Sequence, residues 1–330
     1  MATASRRPTT LVRSDAVQRV LAFGALLAMI LIFSVLSPNF GTFGNAVGIL
    51  LATSVNGILA LGVTFVIISG GIDLSIGTVM TFSAVMTGVF VTNMHLPLPL
   101  GIVGGIVVGG LMGLFNGVLI ARFKIPPFIA TLGTMQIARG LALVTANLAP
   151  IYFNDTPEFN KGAMGSAIGG VIPGFDIPNV VLVLFGAAIV AAFVLGRTIL
   201  GRYTFALGSN EEATRLSGVP VIRWKVAVYV VSGLFAGLAG VVIAARLNSA
   251  QPALGVGYEL DAIAAAVIGG TSLSGGEGSI LGTVIGAFII STLTNGLRIM
   301  SVPQEWQTVV TGAIVILAVY LDIVRRRRQA

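Results

Sequence analysis

Apolar residues in this chain come in long runs rather than in strand-like alternation. The runs lie near residues 20–36, 46–69, 75–92, 99–121, 126–147, 179–196, 225–246, 259–272, 279–298 and 306–324, ten in all. A helix crosses the roughly 30 Å hydrocarbon layer with about 20 apolar residues, or fewer where helices are broken or buried. The pattern therefore predicts an all-α integral membrane protein, a polytopic bundle of about ten transmembrane helices. The weakest span is 259–272, which is short and opens with Glu259 and Asp261; a re-entrant segment is the alternative there.

Polar residues interrupt the runs at two similar places. GG-x-x-L-S occurs at Gly70, Gly71, Asp73 and Ser75, and again at Gly269, Gly270, Ser272 and Ser274. Paired glycines relax a helix, and Ser or Asp can cap the next one. Both stretches are read as breaks between helices. Matching breaks in two halves of a transporter point to an internal repeat; two independent Gly-Ser turns are the plainer reading. Asp73 is read as a helix cap near the cytoplasmic edge, with an intramembrane proton or ion relay as the alternative.

Charge then sets the orientation. Of 330 residues 55% are hydrophobic and only 9% charged, against about 25% in a soluble domain. The basic residues cluster: Arg6, Arg7, Arg13 and Arg19 precede the first run, and Arg325–Arg328 follow the last. The positive-inside rule places both ends in the cytoplasm, as basic tails at 1–19 and 325–330 around one polytopic transmembrane domain at 20–324. An even number of spans also puts 197–224 inside and 148–178 outside; the latter is acidic and rich in Pro and Gly. The net charge of +7 is thus an orientation signal, not a nucleic-acid surface.

Catalytic chemistry finds no footing. There is no cysteine, one histidine, and no P-loop, H-E-x-x-H or G-x-S-x-G motif, so neither an enzyme nor a cofactor or metal site is expected. The polar stretch LGRYTFALGSNEEATRLSGVP, 200–220, is more telling. Asn210 caps a short helix with Glu211 and Glu212 in its first turn, followed by Ala213 and Arg215; Gly218 and Pro220 end it. It reads as a solvated loop helix or as a docking element for a cytoplasmic partner. Within the spans, Asn56, Asn116, Gln136, Arg139 and Asn295 are candidates for a polar pathway, or for hydrogen bonds between helices.

Four segments carry a resemblance: GGIDLSIG at 70–77, KIPPFIATLGTM at 124–135 with Arg139-Gly140 after it, ALGSNEEATRLSGV at 206–219, and AVIGGTSLSGGEGSILGTVIGA at 266–287. With the matching order of spans, the chain resembles the membrane permease subunits of ribose-type ABC importers. The resemblance implies a dimer of permeases in the bacterial inner membrane, driven by a cytoplasmic ATPase and fed with sugar by an external binding protein. It also implies that the segment from Gly208 through Asn210, Glu211, Glu212, Ala213 and Arg215 to Gly218 docks on the ATPase. The competing readings are an ion-coupled secondary transporter, or an ABC permease for branched-chain amino acids or nucleosides.

Overall fold

The computed structural model describes residues 9–172 and 174–327. The chain runs through α1 (Thr9–Leu36), α2 (Phe43–Ile68) and α3 (Ile76–Gly88, extended by a π-helical turn Val89–Asn93). It continues through α4 (Leu98–Ala121), α5 (Pro127–Thr145), β1 (Ile151–Tyr152), α6 (Pro157–Met164), α7 (Asn179–Arg197), α8 (Ile199–Ser209) and α9 (Glu211–Leu216). The last part holds α10 (Val221–Leu247), β2 (Ser249–Ala250), α11 (Tyr258–Ile268), α12 (Ile280–Ile299) and α13 (Gln304–Arg327). Local sequence fixes many of the ends. Pro99 and Pro127 sit in the first turns of α4 and α5, where a missing N–H costs nothing. Ser279 caps α12 by accepting from the Gly282 amide, and α10 stops where Asn248 turns left-handed at φ 52°.

α2 is the axis of the bundle: 83% of its most apolar window is buried, against 28% for α4 and for α5, so α4 and α5 are peripheral. α7, α10, α11 and α12 surround it, and α3 packs on α10, α4 and α5. Buried polar side chains are satisfied largely inside the helices, as where Thr53 and Ser54 donate to the carbonyls one turn back. A buried Thr64–Thr283 hydrogen bond of 2.8 Å ties α2 to α12. α4 and α10 pack main chain against main chain. A methyl group on Gly109 would fall 2.7 Å from the Gly237 Cα, and one on Gly233 would fall 2.9 Å from the Gly113 Cα. This is the close approach that small residues four apart permit between membrane helices.

Several expectations are revised. Among the described residues seven helices are long and apolar enough to cross a membrane, α2, α3 with its π turn, α4, α5, α7, α10 and α12, with 20–36 a shorter apolar helix. α11 has eleven residues and is only about 17 Å long. The span predicted at 259–272 is thus too short as a helix, because Gly257 at φ 93° delays its start and Gly270 at φ 96° ends it. The terminal tails at 1–19 and 325–330 lie in part outside the described residues; where described, helix already begins at Thr9 and continues to Arg327. The segment 148–178 holds β1, which pairs antiparallel with β2, Ile151 opposite Ala250, and then α6. The segment 197–224 holds two helices, α8 and α9, rather than one.

Candidate functional site

α2 and α11 end in the same way. Gly70 and Gly270 take left-handed φ values of 77° and 96°. The next amides reach back over the last turn, Gly71 N–H to Val66 O and Thr271 N–H to Ala266 O, both 2.9 Å. This is a glycine-terminated helix end with its 6→1 bond. The left-handed glycine is the first of its pair in one stretch and the second in the other, so the geometric match is offset by one from the sequence match. Beyond it the analogy returns to register. Asp73 Oδ1 accepts from Ser75 N–H (3.0 Å), and Ser272 Oγ accepts from Ser274 N–H (3.4 Å).

Asp73 is buried and holds more than a cap. Its Oδ1 also accepts from Ser75 Oγ (2.7 Å), and its Oδ2 accepts from Ser232 Oγ on α10 (3.0 Å). Ser75 Oγ in turn accepts from Asn116 Nδ2 on α4 (2.8 Å), while Tyr229 Oη on α10 donates to Ile72 O (3.1 Å). The N-cap residue of α3 is Ser75, not Asp73. The non-helical segment 69–75 is thus held to α10 through Asp73 and the Ile72 carbonyl and to α4 through Ser75, by hydrogen bonds that leave neither carboxylate oxygen of Asp73 unpaired.

The two non-helical segments meet. Gly276 N–H donates to Ile68 O (2.8 Å) across the space between them. Gly208, in the last turn of α8, lies against both. A methyl group there would fall 2.5 Å from the Gly276 nitrogen and 2.9 Å from the Ile68 carbonyl carbon. One on Gly275 would fall 2.9 Å from the Gly208 Cα and 3.0 Å from the Gly70 Cα. Three main chains distant in sequence therefore touch at four glycines.

α8 and α9 rise from this junction as a polar pair. Asn210 Oδ1 accepts from Ala213 N–H (2.9 Å), capping α9, and Thr214 Oγ1 donates back to Ala206 O (2.9 Å). Arg215 grips both carboxylate oxygens of Glu212, which favours its charged form, and Lys225 Nζ meets Glu211 at 2.6 Å. Tyr203 packs on Trp224 with ring centres 4.9 Å apart. Between the two helices lies an open recess of about 290 Å³, lined by Tyr203, Ala206, Asn210, Ala213 and Thr214 among others.

The predicted site residues thus fall into separate places. Gly70 and Gly208 converge, on a Gly275 not singled out from sequence; Asp73, Ser75 and Asn116 form one network; Asn210, Glu211, Glu212, Ala213, Arg215 and Gly218 belong to the polar pair. Asn56, Asn116 and Asn295 each leave a buried side-chain oxygen without a hydrogen-bond partner. Gln136 and Arg139 are exposed on α5. Ser232 and Tyr229 carry part of the Asp73 network and were not singled out from sequence; Ser232 betrays itself only as a lone hydroxyl in the run VVSGLFAG.

A multi-pass helical membrane protein whose broken segments close on an appended polar helix pair has the build of a permease subunit. The family model described as "Branched-chain amino acid transport system / permease component" matches residues 45–319, and the chain belongs to that family. It is 42% identical over 301 residues to the ribose import permease protein RbsC of Escherichia coli (strain K12), covering 90% of this chain and 91% of that one. Similarity to RbsC of Bacillus subtilis (strain 168) is 43% over 306 residues, with 92% of each covered. The L-arabinose transport system permease protein AraH of E. coli K12 is 38% identical over 303 residues, covering 91% and 90%. No solved structure matches the chain.

Proposed function

We propose that this chain is the membrane permease of an ATP-driven importer for a monosaccharide, acting with a cytoplasmic ATPase, an external sugar-binding protein and a second permease subunit in the bacterial inner membrane. The observation that carries the reading is the junction at Gly208. A polar helix pair that a soluble ATPase could grasp is joined, main chain to main chain, to both breaks in the bundle. A push on α9 has a rigid route to α2 and α12. A sugar is favoured over a branched-chain amino acid because the full-length relatives at 37–43% identity bear the names of ribose and arabinose permeases.

Ten crossings fit this reading if 20–36, the segment 251–268 and α13 join the seven long helices. Residues 68–75, 197–220 and 269–279 then share the cytoplasmic end, and 147–178 and 248–257 the external end. The junction of Ile68, Gly208 and Gly276 supports the first grouping, and the β1–β2 pair supports the second.

The test is uptake by cells carrying the permease with its ATPase and binding protein, using labelled ribose, arabinose and leucine. Sugar uptake abolished by ATP depletion but not by a protonophore is expected; loss with the protonophore alone would refute ATP drive, and leucine uptake would replace the cargo. The exchange Glu212→Lys with Arg215→Glu keeps an opposite pair on α9 while reversing its charge pattern. It is expected to leave the subunit inserted and to abolish sugar-stimulated ATP hydrolysis and uptake together. Native stimulation in that variant would remove α9 from the docking role.

A further inference from the structure

The helices around α2 leave a gap on one side. α7 packs on α2 and α12, with Leu184 filling the space beside Gly57, whereas α10 packs on α2, α3 and α4. α7 and α10 therefore splay apart, and a groove of about 550 Å³ opens between them. Val183, Val190 and Val194 form its α7 wall, and Val231, Phe235 and Leu238 its α10 wall. The Phe235 ring is held in place by stacking on Phe65 of α2, with ring centres 6.4 Å apart. The lining is apolar throughout. Such a groove offers water no partner, so in a membrane hydrocarbon fills it.

One end of the groove is charged. At 100° per residue, Arg197 lies about 20–60° round α7 from Val183, Val190 and Val194. On α10, Trp224 lies about 20–40° from Val231, Phe235 and Leu238, and Arg223 about 20° from Leu234, the exposed outer lip. Arg197 and Arg223 are exposed, and among the described residues neither makes a hydrogen bond or ion pair. The acids of α9, Glu211 and Glu212, are already taken by Lys225 and Arg215. Along α7 the wall runs from Val194, about 5 Å from Arg197, to Val183, about 21 Å from it. Along α10, Leu238 is about 22 Å from Arg223. One leaflet of the hydrocarbon layer is about 15 Å deep. The groove thus has the reach of a lipid chain, with cations at the level of the headgroup. Tyr203 against Trp224 adds aromatic rings of the kind enriched at that level.

We infer that this groove binds one anionic phospholipid, with an acyl chain between α7 and α10 and its phosphate held by Arg197 and Arg223. Charge complementarity selects the occupant. An apolar groove alone would accept any lipid, whereas two unpaired guanidiniums at its mouth favour a phosphate that carries net negative charge. Basic pockets between membrane helices on the cytoplasmic side take such headgroups. Only the choice of leaflet rests on the orientation proposed above; the groove and its charged mouth do not.

The full-length subunit would be purified in detergent and titrated with phosphatidylglycerol or phosphatidylcholine of the same acyl chains, with bound lipids counted by native mass spectrometry. The first phosphatidylglycerol is expected to bind roughly 10–30-fold more tightly than phosphatidylcholine, the preference that two basic residues give. Arg197→Gln with Arg223→Gln is expected to erase that preference. Arg122→Gln with Lys124→Gln removes the same charge from exposed positions just past α4 and is expected to keep it. Val190→Trp, at a wall residue 57% exposed, fills the groove and is expected to weaken both lipids. Equal binding of the two lipids by the native chain, or a preference that survives without Arg197 and Arg223, overturns the headgroup site. A preference lost as fully with Arg122 and Lys124 reduces it to bulk charge and also overturns the site. Native lipid binding in Val190→Trp overturns the groove. An intact preference with weakened ATPase association in Arg197→Gln with Arg223→Gln would assign the arginines to the partner's dock instead. The lipid readouts involve neither cargo nor ATP, so they stand or fall apart from the proposed function.

Discussion

Replacing Gly208 by alanine tests whether the junction is a rigid link. The new methyl group would sit 2.5 Å from the Gly276 nitrogen and 2.9 Å from the Ile68 carbonyl carbon, where ordinary contact begins at 3.4 Å. All of these neighbours are main-chain atoms, so no side chain can swing aside. The methyl also intrudes on the 2.8 Å hydrogen bond from Gly276 N–H to Ile68 O. The Ile68 carbonyl oxygen lies nearer still, so relief requires α8 to retreat until the methyl clears it, or that bond to open. Leaving a buried amide unpaired costs about 1–3 kcal/mol. As a coupling energy between the ATPase dock and the bundle, that corresponds to roughly a 5–150-fold effect. The assay is reconstitution of Gly208→Ala with ATPase and loaded binding protein, reading basal hydrolysis, stimulated hydrolysis and uptake, beside the melting temperature of the purified subunit. Gly186→Ala, on an open face of α7 with no atom within 4 Å of the added methyl, is the control. The expected result is a lower melting temperature and stimulation and uptake reduced by a factor in that range, with the control unchanged. Native melting, stimulation and uptake in Gly208→Ala would refute the argument that these backbones are locked together.

The Asp73 network separates acceptor from charge. Asp73→Asn keeps an oxygen for Ser75 and is expected to retain partial uptake, whereas Asp73→Leu strands the Ser75 amide and Ser232 hydroxyl at about 1–3 kcal/mol each and should lower both melting temperature and uptake; complete loss with a well-assembled Asp73→Asn would restore an ion relay. The orientation is checked with Ser166→Cys and Leu216→Cys, the latter at a side chain 80% exposed. An impermeant thiol reagent applied to intact cells should modify the first and spare the second, and the reverse pattern would invert the topology.

What could be read from sequence divides along a physical line. The membrane class followed from burial alone, since long uncharged runs have few other homes. The short helix after Asn210 was legible because its signals are local: cap, acidic first turn, glycine stop. The length of α11 was not, because its apolar run continues through Gly269 and Gly270 while its helix stops at Ile268, and only the conformation of Gly257 and Gly270 sets those limits. β1 and β2, two residues each and about a hundred apart, leave no periodicity to detect. Gly208 was noted as part of a segment, but nothing near it in sequence shows that it touches Ile68 and Gly276.

That last case explains why the glycines matter more than the charges around them. Glu211, Glu212, Arg215 and Lys225 are exposed or half-exposed, and pairs of that kind contribute little to stability and weaken in salt. They can select a partner, but they cannot carry displacement into the bundle. Main-chain contact can, because a peptide group has no rotamer in which to absorb the motion. At Gly208 the carrier of movement is thus the absence of a side chain. The polar helix that a partner would recognise and the point through which its motion would pass are adjacent, Asn210 beside Gly208, yet they depend on opposite chemistry. Charge reversal on α9 should therefore abolish stimulation without altering the subunit's melting temperature, while Gly208→Ala should lower both.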